Sequence, residues 1–132
     1  MARKWLVAII DDESDIVNLF RDALSKINGL SIFTFTDPMV ALEHFKINKD
    51  AYALIISDLR MPGINGTDLV YKIKKENPLV RTLLMTAFEV DDKVFEEYVK
   101  NDIIDGFIQK PVKLRDLLSE VLKQVNIYKR IK

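Results

Sequence analysis

The chain contains no cysteine, which excludes disulfide staples, thiolate catalysis and the usual zinc sites, and is compatible with a reducing compartment. It has a single histidine, His44. No apolar run approaches the roughly 20 residues of a membrane span, and the opening MARKWLVAII runs at once into DDE, which no secretory signal would tolerate. A soluble, cytoplasmic protein is therefore expected. Net charge of either sign is also missing, because 20 basic and 20 acidic residues cancel. No global positive field exists to hold nucleic acid or an anionic membrane surface, so any charge-driven chemistry must be local. Repeats, low-complexity tracts and Gly/Ser-rich linkers are absent, as are a DNA-recognition motif, a Gly-rich nucleotide loop and a second catalytic cluster. What is there is 132 residues with 48% apolar side chains, enough for one domain, residues 1–132, with a full core.

Five short apolar runs alternate with five segments of helical spacing, the pattern of a βαβ series. The runs are WLVAII (5–10), LSIFTF (30–35), YALIIS (52–57), VRTLLMT (80–86) and DGFIQ (105–109). The first and third are apolar without alternation, as expected of strands buried on both faces of a parallel sheet. Ile16, Phe20, Ala23, Leu24 and Ile27 mark a first helix, with Asn28-Gly29 suited to a left-handed cap. Asp37-Pro38 opens a second, carrying Leu42 and Phe45. Leu69, Val70 and Ile73 belong to a third, stopped by Asn77-Pro78. Val94, Phe95, Tyr98 and Val99 give a shorter fourth, and Leu114, Leu117, Leu118, Val121, Val125 and Tyr128 a long fifth over about 112–131. The expected fold is α/β, a doubly wound, five-stranded parallel sheet of flavodoxin-like (βα)5 topology, in which ligands bind beyond the carboxyl ends of the strands.

Strand one ends in Asp11-Asp12-Glu13, strand three in Asp58, strand four in Thr86-Ala87 and strand five in Lys110-Pro111. Carboxylates brought together at such an edge cannot all stay ionised and unpaired, so a cation must join them. Oxygen ligands in small number, with room for water, suit Mg²⁺. Lys110 would add a fixed positive charge. A carboxylate beside a metal, a lysine and a hydroxyl is a workable acceptor for a phosphoryl group, which makes Asp58 a nucleophile. Each residue also has an ordinary explanation: Asp11 to Glu13 could cap a helix, Asp58 could open a turn, Lys110 could snorkel and Thr86 could fill a strand. Together, at the ends of four strands, they make coincidence a poor account. His44, in ALEHFK on the second helix, is read as a surface or packing side chain rather than a catalytic base.

The set IIDDE, SDLRMPGINGTDL, LLMTA and FIQKP, in this order, resembles the motifs of two-component response-regulator receiver domains over nearly the whole chain. The resemblance implies that Asp58 is the phosphoacceptor, that Asp12 binds Mg²⁺ directly, that Asp11 acts through water, and that the Arg60 carbonyl completes the metal shell. It makes Thr86 the switch hydroxyl, Lys110 the phosphoryl-contacting lysine with a cis bond to Pro111, and Phe107 an aromatic that turns inward on activation. Met61-Pro62 and Gly66 match the turn into the third helix. The partner implied is a histidine kinase or histidine phosphotransfer protein, and the face of the fourth helix, fifth strand and fifth helix is the responding surface and a possible homodimer contact. The domain would assist its own phosphorylation without being an enzyme for an external metabolite. Two alternatives stand beside this: a pseudo-receiver binding module, and a Mg²⁺-dependent phosphohydrolase with an aspartyl-phosphate intermediate. Three departures are visible. Ile103 stands where many relatives have glycine, Arg60 and Phe88 are bulky where the family governs water access, and the last helix continues to Tyr128 with Ile131 beyond. That helix either packs simply on the sheet or ends as a linker or dimer contact.

Overall fold

The computed structural model describes residues 4–87 and 103–132, with Lys93, Glu96, Glu97, Lys100 and Asn101 between them. In chain order the elements are β1 (Trp5–Ile10), α1 (Ser14–Leu24), β2 (Leu30–Phe35), α2 (Pro38–Asn48), β3 (Tyr52–Asp58), α3 (Gly66–Glu76), β4 (Arg81–Thr86), β5 (Gly106–Gln109) and α4 (Leu114–Ile131). The residues read as a fourth helix, Val94, Phe95, Tyr98 and Val99, lie outside the described ones, as does Phe88; Lys93, Glu96, Glu97 and Lys100 are helical. The expected fifth helix is thus α4.

The five strands form one parallel sheet in the order β2-β1-β3-β4-β5. This is the doubly wound arrangement, and its central strand β3 is buried at every position, which is why that strand shows no polar alternation. Side chains leave the strands alternately to the two faces. Val7, Ile9, Leu54 and Ile56 meet Val17, Phe20 and Leu24 of α1 and Leu117, Val121 and Val125 of α4. Ala8, Ile10 and Ile55 meet Ala41, Leu42 and Phe45 of α2 and Leu69, Val70 and Ile73 of α3. Each such Leu or Ile contributes about 1.5–3 kcal/mol through removal from water.

Local signals set most element ends. The Asp37 side chain accepts from the Met39 N–H at 2.9 Å with Pro38 opening α2, and Asn65 does the same for α3 through the Asp68 N–H at 2.9 Å. α1 stops earlier than its apolar spacing suggests. Its regular turns end at Leu24, the Ile27 N–H bonds back to the Leu24 carbonyl at 3.0 Å in a tightened turn, and Gly29 takes φ 87 before β2. Ile27 still packs on the core, so its apolarity reports burial rather than helix. α4 packs on the sheet to its last turn: Tyr128 is buried with its ring edge-on to Trp5, centroids 5.1 Å apart, and the Lys132 ammonium lies 4.4 Å from the Trp5 ring centre. No helix among the described residues is long and apolar enough to cross a membrane.

Candidate functional site

Parallel strands of similar length deliver their last residues to one edge. β1 runs out at Ile10 and hands Asp11 to that edge, its N–H still bonded to the Phe35 carbonyl at 3.1 Å. Asp11 is fully buried, and its Oδ1 accepts from the Glu13 N–H at 3.0 Å, so the carboxylate is aimed inward by the turn that starts α1. Asp12 beside it is exposed. β3 ends at Asp58, 9% exposed. Carboxylate oxygens of Asp11, Asp12 and Asp58 lie within 4.8 Å of one another.

The Asp58 backbone is held from several sides. The Leu59 N–H extends the ladder to the Met85 carbonyl at 2.8 Å, the Gly66 N–H returns to the Leu59 carbonyl at 2.8 Å, and the Ser57 hydroxyl donates to the Asp58 carbonyl at 3.0 Å. Gly66 is required by close approach, since a Cβ there would overlap the Asp58 carbonyl oxygen. The turn residue read from the sequence is therefore also what lets α3 start directly against Asp58.

β5 supplies the cation. The Lys110 N–H bonds to the Thr86 carbonyl at 2.7 Å, the Lys110-Pro111 bond is cis as expected, and the Lys110 ammonium reaches Asp11 Oδ2 at 3.0 Å and Asp58 Oδ1 at 3.3 Å. Thr86, 2% exposed, closes β4 beside them. A cavity of about 200 Å³ opens above this group, lined by Glu13, Asp58, Leu59, Arg60, Thr86 and Lys110 among others, which is room for a phosphoryl group and a few waters.

Burial is the main reason the Asp58 carboxyl is held above its ordinary value, with the Asp11 charge adding to it and Lys110 opposing. Burial pulls the Lys110 ammonium down, but the hydrogen bond and charge of Asp11, joined by Asp58, outweigh it and leave Lys110 raised. Three carboxylates against one ammonium leave two negative charges over. An all-oxygen donor set with that excess fits a hard divalent cation such as Mg²⁺.

The structure thus brings Asp11, Asp12, Asp58, Thr86 and Lys110 to one edge, with Arg60 on its rim. Phe107, on β5, is half-buried and packs against the cluster under α2 and α3. His44 lies elsewhere, its Nδ1 2.7 Å from the Tyr52 hydroxyl and its ring among Phe33 and Phe35, a packing residue as read. Ser57 is not legible in the sequence: a serine inside an apolar strand gives no sign that its hydroxyl will hold the Asp58 carbonyl.

The family model described as the response regulator receiver domain matches residues 7–122. The chain belongs to that family. The receiver domain is 26% identical over 126 residues to the DNA-binding transcriptional regulator NtrC of Escherichia coli, covering 96% of this chain and 26% of that protein. It is 29% identical over 115 residues to the regulatory protein VanRB of Enterococcus faecalis, covering 87% of this chain and 50% of that one. The chain therefore spans a quarter to a half of these relatives. Among solved structures, a response regulator receiver domain protein from Clostridium thermocellum superposes with a TM-score of 0.84 at 25% identity, covering 97% of this chain and 99% of that one. A CheY-like receiver domain protein from Methanospirillum hungatei gives 0.82 at 24% identity, with 98% and 99% covered.

Proposed function

We propose that this receiver domain is a phosphorylation-dependent switch in which Asp58 takes a phosphoryl group from a phosphohistidine of a histidine kinase or phosphotransfer protein. An Asp58 oxygen attacks phosphorus, the phosphorus–nitrogen bond breaks, and the bond electrons return to the donor imidazole. Asp11, Asp12 and Asp58, with the Arg60 carbonyl, would hold Mg²⁺, which when bound neutralises charge on the transferring oxygens. Lys110 would do the same, and on transfer it exchanges the Asp58 carboxylate for a phosphoryl oxygen without leaving Asp11. Thr86 donates its hydroxyl to the phosphoryl group, and Phe107 repacks against β4 as it moves. The β5 and α4 face, with the helical residues before it, then reads out the change to a target or a second copy. Arg60 at the rim slows water attack on the acyl phosphate. The setting is the cytoplasm, without direct contact to nucleic acid or membrane.

The observation that carries this reading is the Lys110 ammonium held between Asp11 and Asp58 beside an open cavity at the strand ends. Intact-mass spectrometry after incubation with acetyl phosphate tests it. One added phosphoryl group that requires Mg²⁺ and is absent from Asp58→Asn is the expected result. No gain under any condition would instead make the domain a pseudo-receiver, and steady release of phosphate from many phosphomonoesters would make it a phosphohydrolase.

A further inference from the structure

α2 is apolar on two sides. Its inner side, Ala41, Leu42 and Phe45, is buried in the core. Its outer side carries Met39, Val40 and Ile47, exposed by 51%, 51% and 82%, with exposed Glu43 and Lys46 between them. Positions 39, 40, 43, 46 and 47 have the spacing of the seam by which one helix packs against another. A helix lying on a sheet ordinarily turns a polar face outward there. Phe33 of the neighbouring strand, 38% exposed with its ring 4.7 Å from that of His44, extends the apolar surface. β2 is an edge strand that pairs only with β1 among the described residues. Its sequence LSIFTF has no charge and no proline, so it lacks the usual protections of an open edge.

We propose that this face binds a second copy of the chain, α2 against α2, antiparallel about a two-fold axis near His44. Self-complementarity selects that occupant. In the antiparallel arrangement Val40 of one copy falls opposite Ile47 of the other, and Glu43 comes beside the other's Lys46. The two-fold repeats both contacts, so each copy supplies both halves of each pair. Neither Glu43 nor Lys46 is in an ion pair among the described residues. A nucleic acid or a strongly acidic peptide would call for one sign of charge on this face, whereas it carries one of each. β2 and β5 are opposite edges of the sheet. The residues lining the Asp58 cavity include none from α2 or β2, so pairing through α2 leaves that cavity and the β5 and α4 face uncovered, and the dimer forms with or without phosphorylation.

Sedimentation velocity over a concentration series of the full chain tests this, on the parent, Ile47→Asp, Glu43→Lys, Lys46→Glu and an equimolar mixture of the last two. All three positions are exposed, and thermal melts verify that each variant folds. The parent is expected to show a reversible monomer–dimer equilibrium, Ile47→Asp to be monomeric, and each charge variant to dimerise roughly tenfold more weakly. The mixture should recover the parent's affinity, because unlike charges meet again between the two variants. A parent that stays monomeric at every concentration overturns the proposal and leaves the face to another partner. A dimer indifferent to Ile47→Asp, or a mixture as weak as its components, overturns it as well.

Discussion

The Lys110 ammonium stands between two carboxylates, 3.0 Å from Asp11 Oδ2 and 3.3 Å from Asp58 Oδ1. Because Asp11 is fully buried, its charge has no water to fall back on when that partner is removed. Lys110→Met should cost roughly 3 kcal/mol of stability in urea unfolding at neutral pH. It should also slow acetyl phosphate labelling at least about a hundredfold. Unchanged stability would mean that the Asp11 carboxylate is compensated by something else.

The Asp58 carboxyl works the other way. Burial first, and the Asp11 charge second, raise it above the ordinary 3.8. A carboxyl raised in the folded state holds its proton more tightly there than in the unfolded chain. The stability linked to it is fully present below the ordinary value and is lost as pH rises through the raised one. Asp58→Asn, which keeps the shape without the charge, should therefore melt at a higher temperature than the parent at neutral pH. The gap should narrow as the buffer is acidified toward about pH 4. A variant less stable than the parent at neutral pH would show that Asp58 is a net stabiliser.

Gly66→Ala places a methyl group on the Asp58 carbonyl oxygen, backbone against backbone, with no flexible side chain able to yield. The expected cost is about 2 kcal/mol, read from denaturant midpoints. Labelling at Asp58 should slow more than the stability loss accounts for, because the displaced group is the peptide of Asp58 itself.

Asp105, at the opposite end of the sheet, tests the converse. Its carboxylate takes Lys74 at 2.9 Å, Arg81 at 3.3 Å and the Thr82 N–H at 2.8 Å while only 12% exposed. Asp105→Asn should lower stability by roughly 3 kcal/mol and leave the labelling rate of folded protein unchanged. A slowed rate would mean that the two ends of β4 are coupled.

What was legible in the sequence and what was not divide along one line. A strand buried on both faces must be apolar throughout, so β3 announces itself, and its final Asp58 stands out because nothing before it is charged. Asp105 does not stand out, since its partner Lys74 is 31 residues away and no local pattern records such a meeting. The end of α1 misled for a related reason: Ile27 keeps the apolar spacing although the chain has already left the helix, because the core selects for burial and is indifferent to the backbone that achieves it. Ser57 and Gly66 act through main-chain atoms of Asp58, and no local pattern of side chains records such a contact.

The salt-bridged knot at Arg81, Thr82 and Asp105 also says how β4 can move. It anchors that strand, and β5 beside it, at the end remote from Thr86. A strand pinned at its foot cannot slide along its neighbours. In the proposed switch a pull at Thr86 would act on the other end, where the Thr86 carbonyl is tied to the Lys110 N–H. The excursion of the proposed switch would then be largest at the rim, where Thr86 meets the Lys110 turn, and smallest at the Asp105 knot.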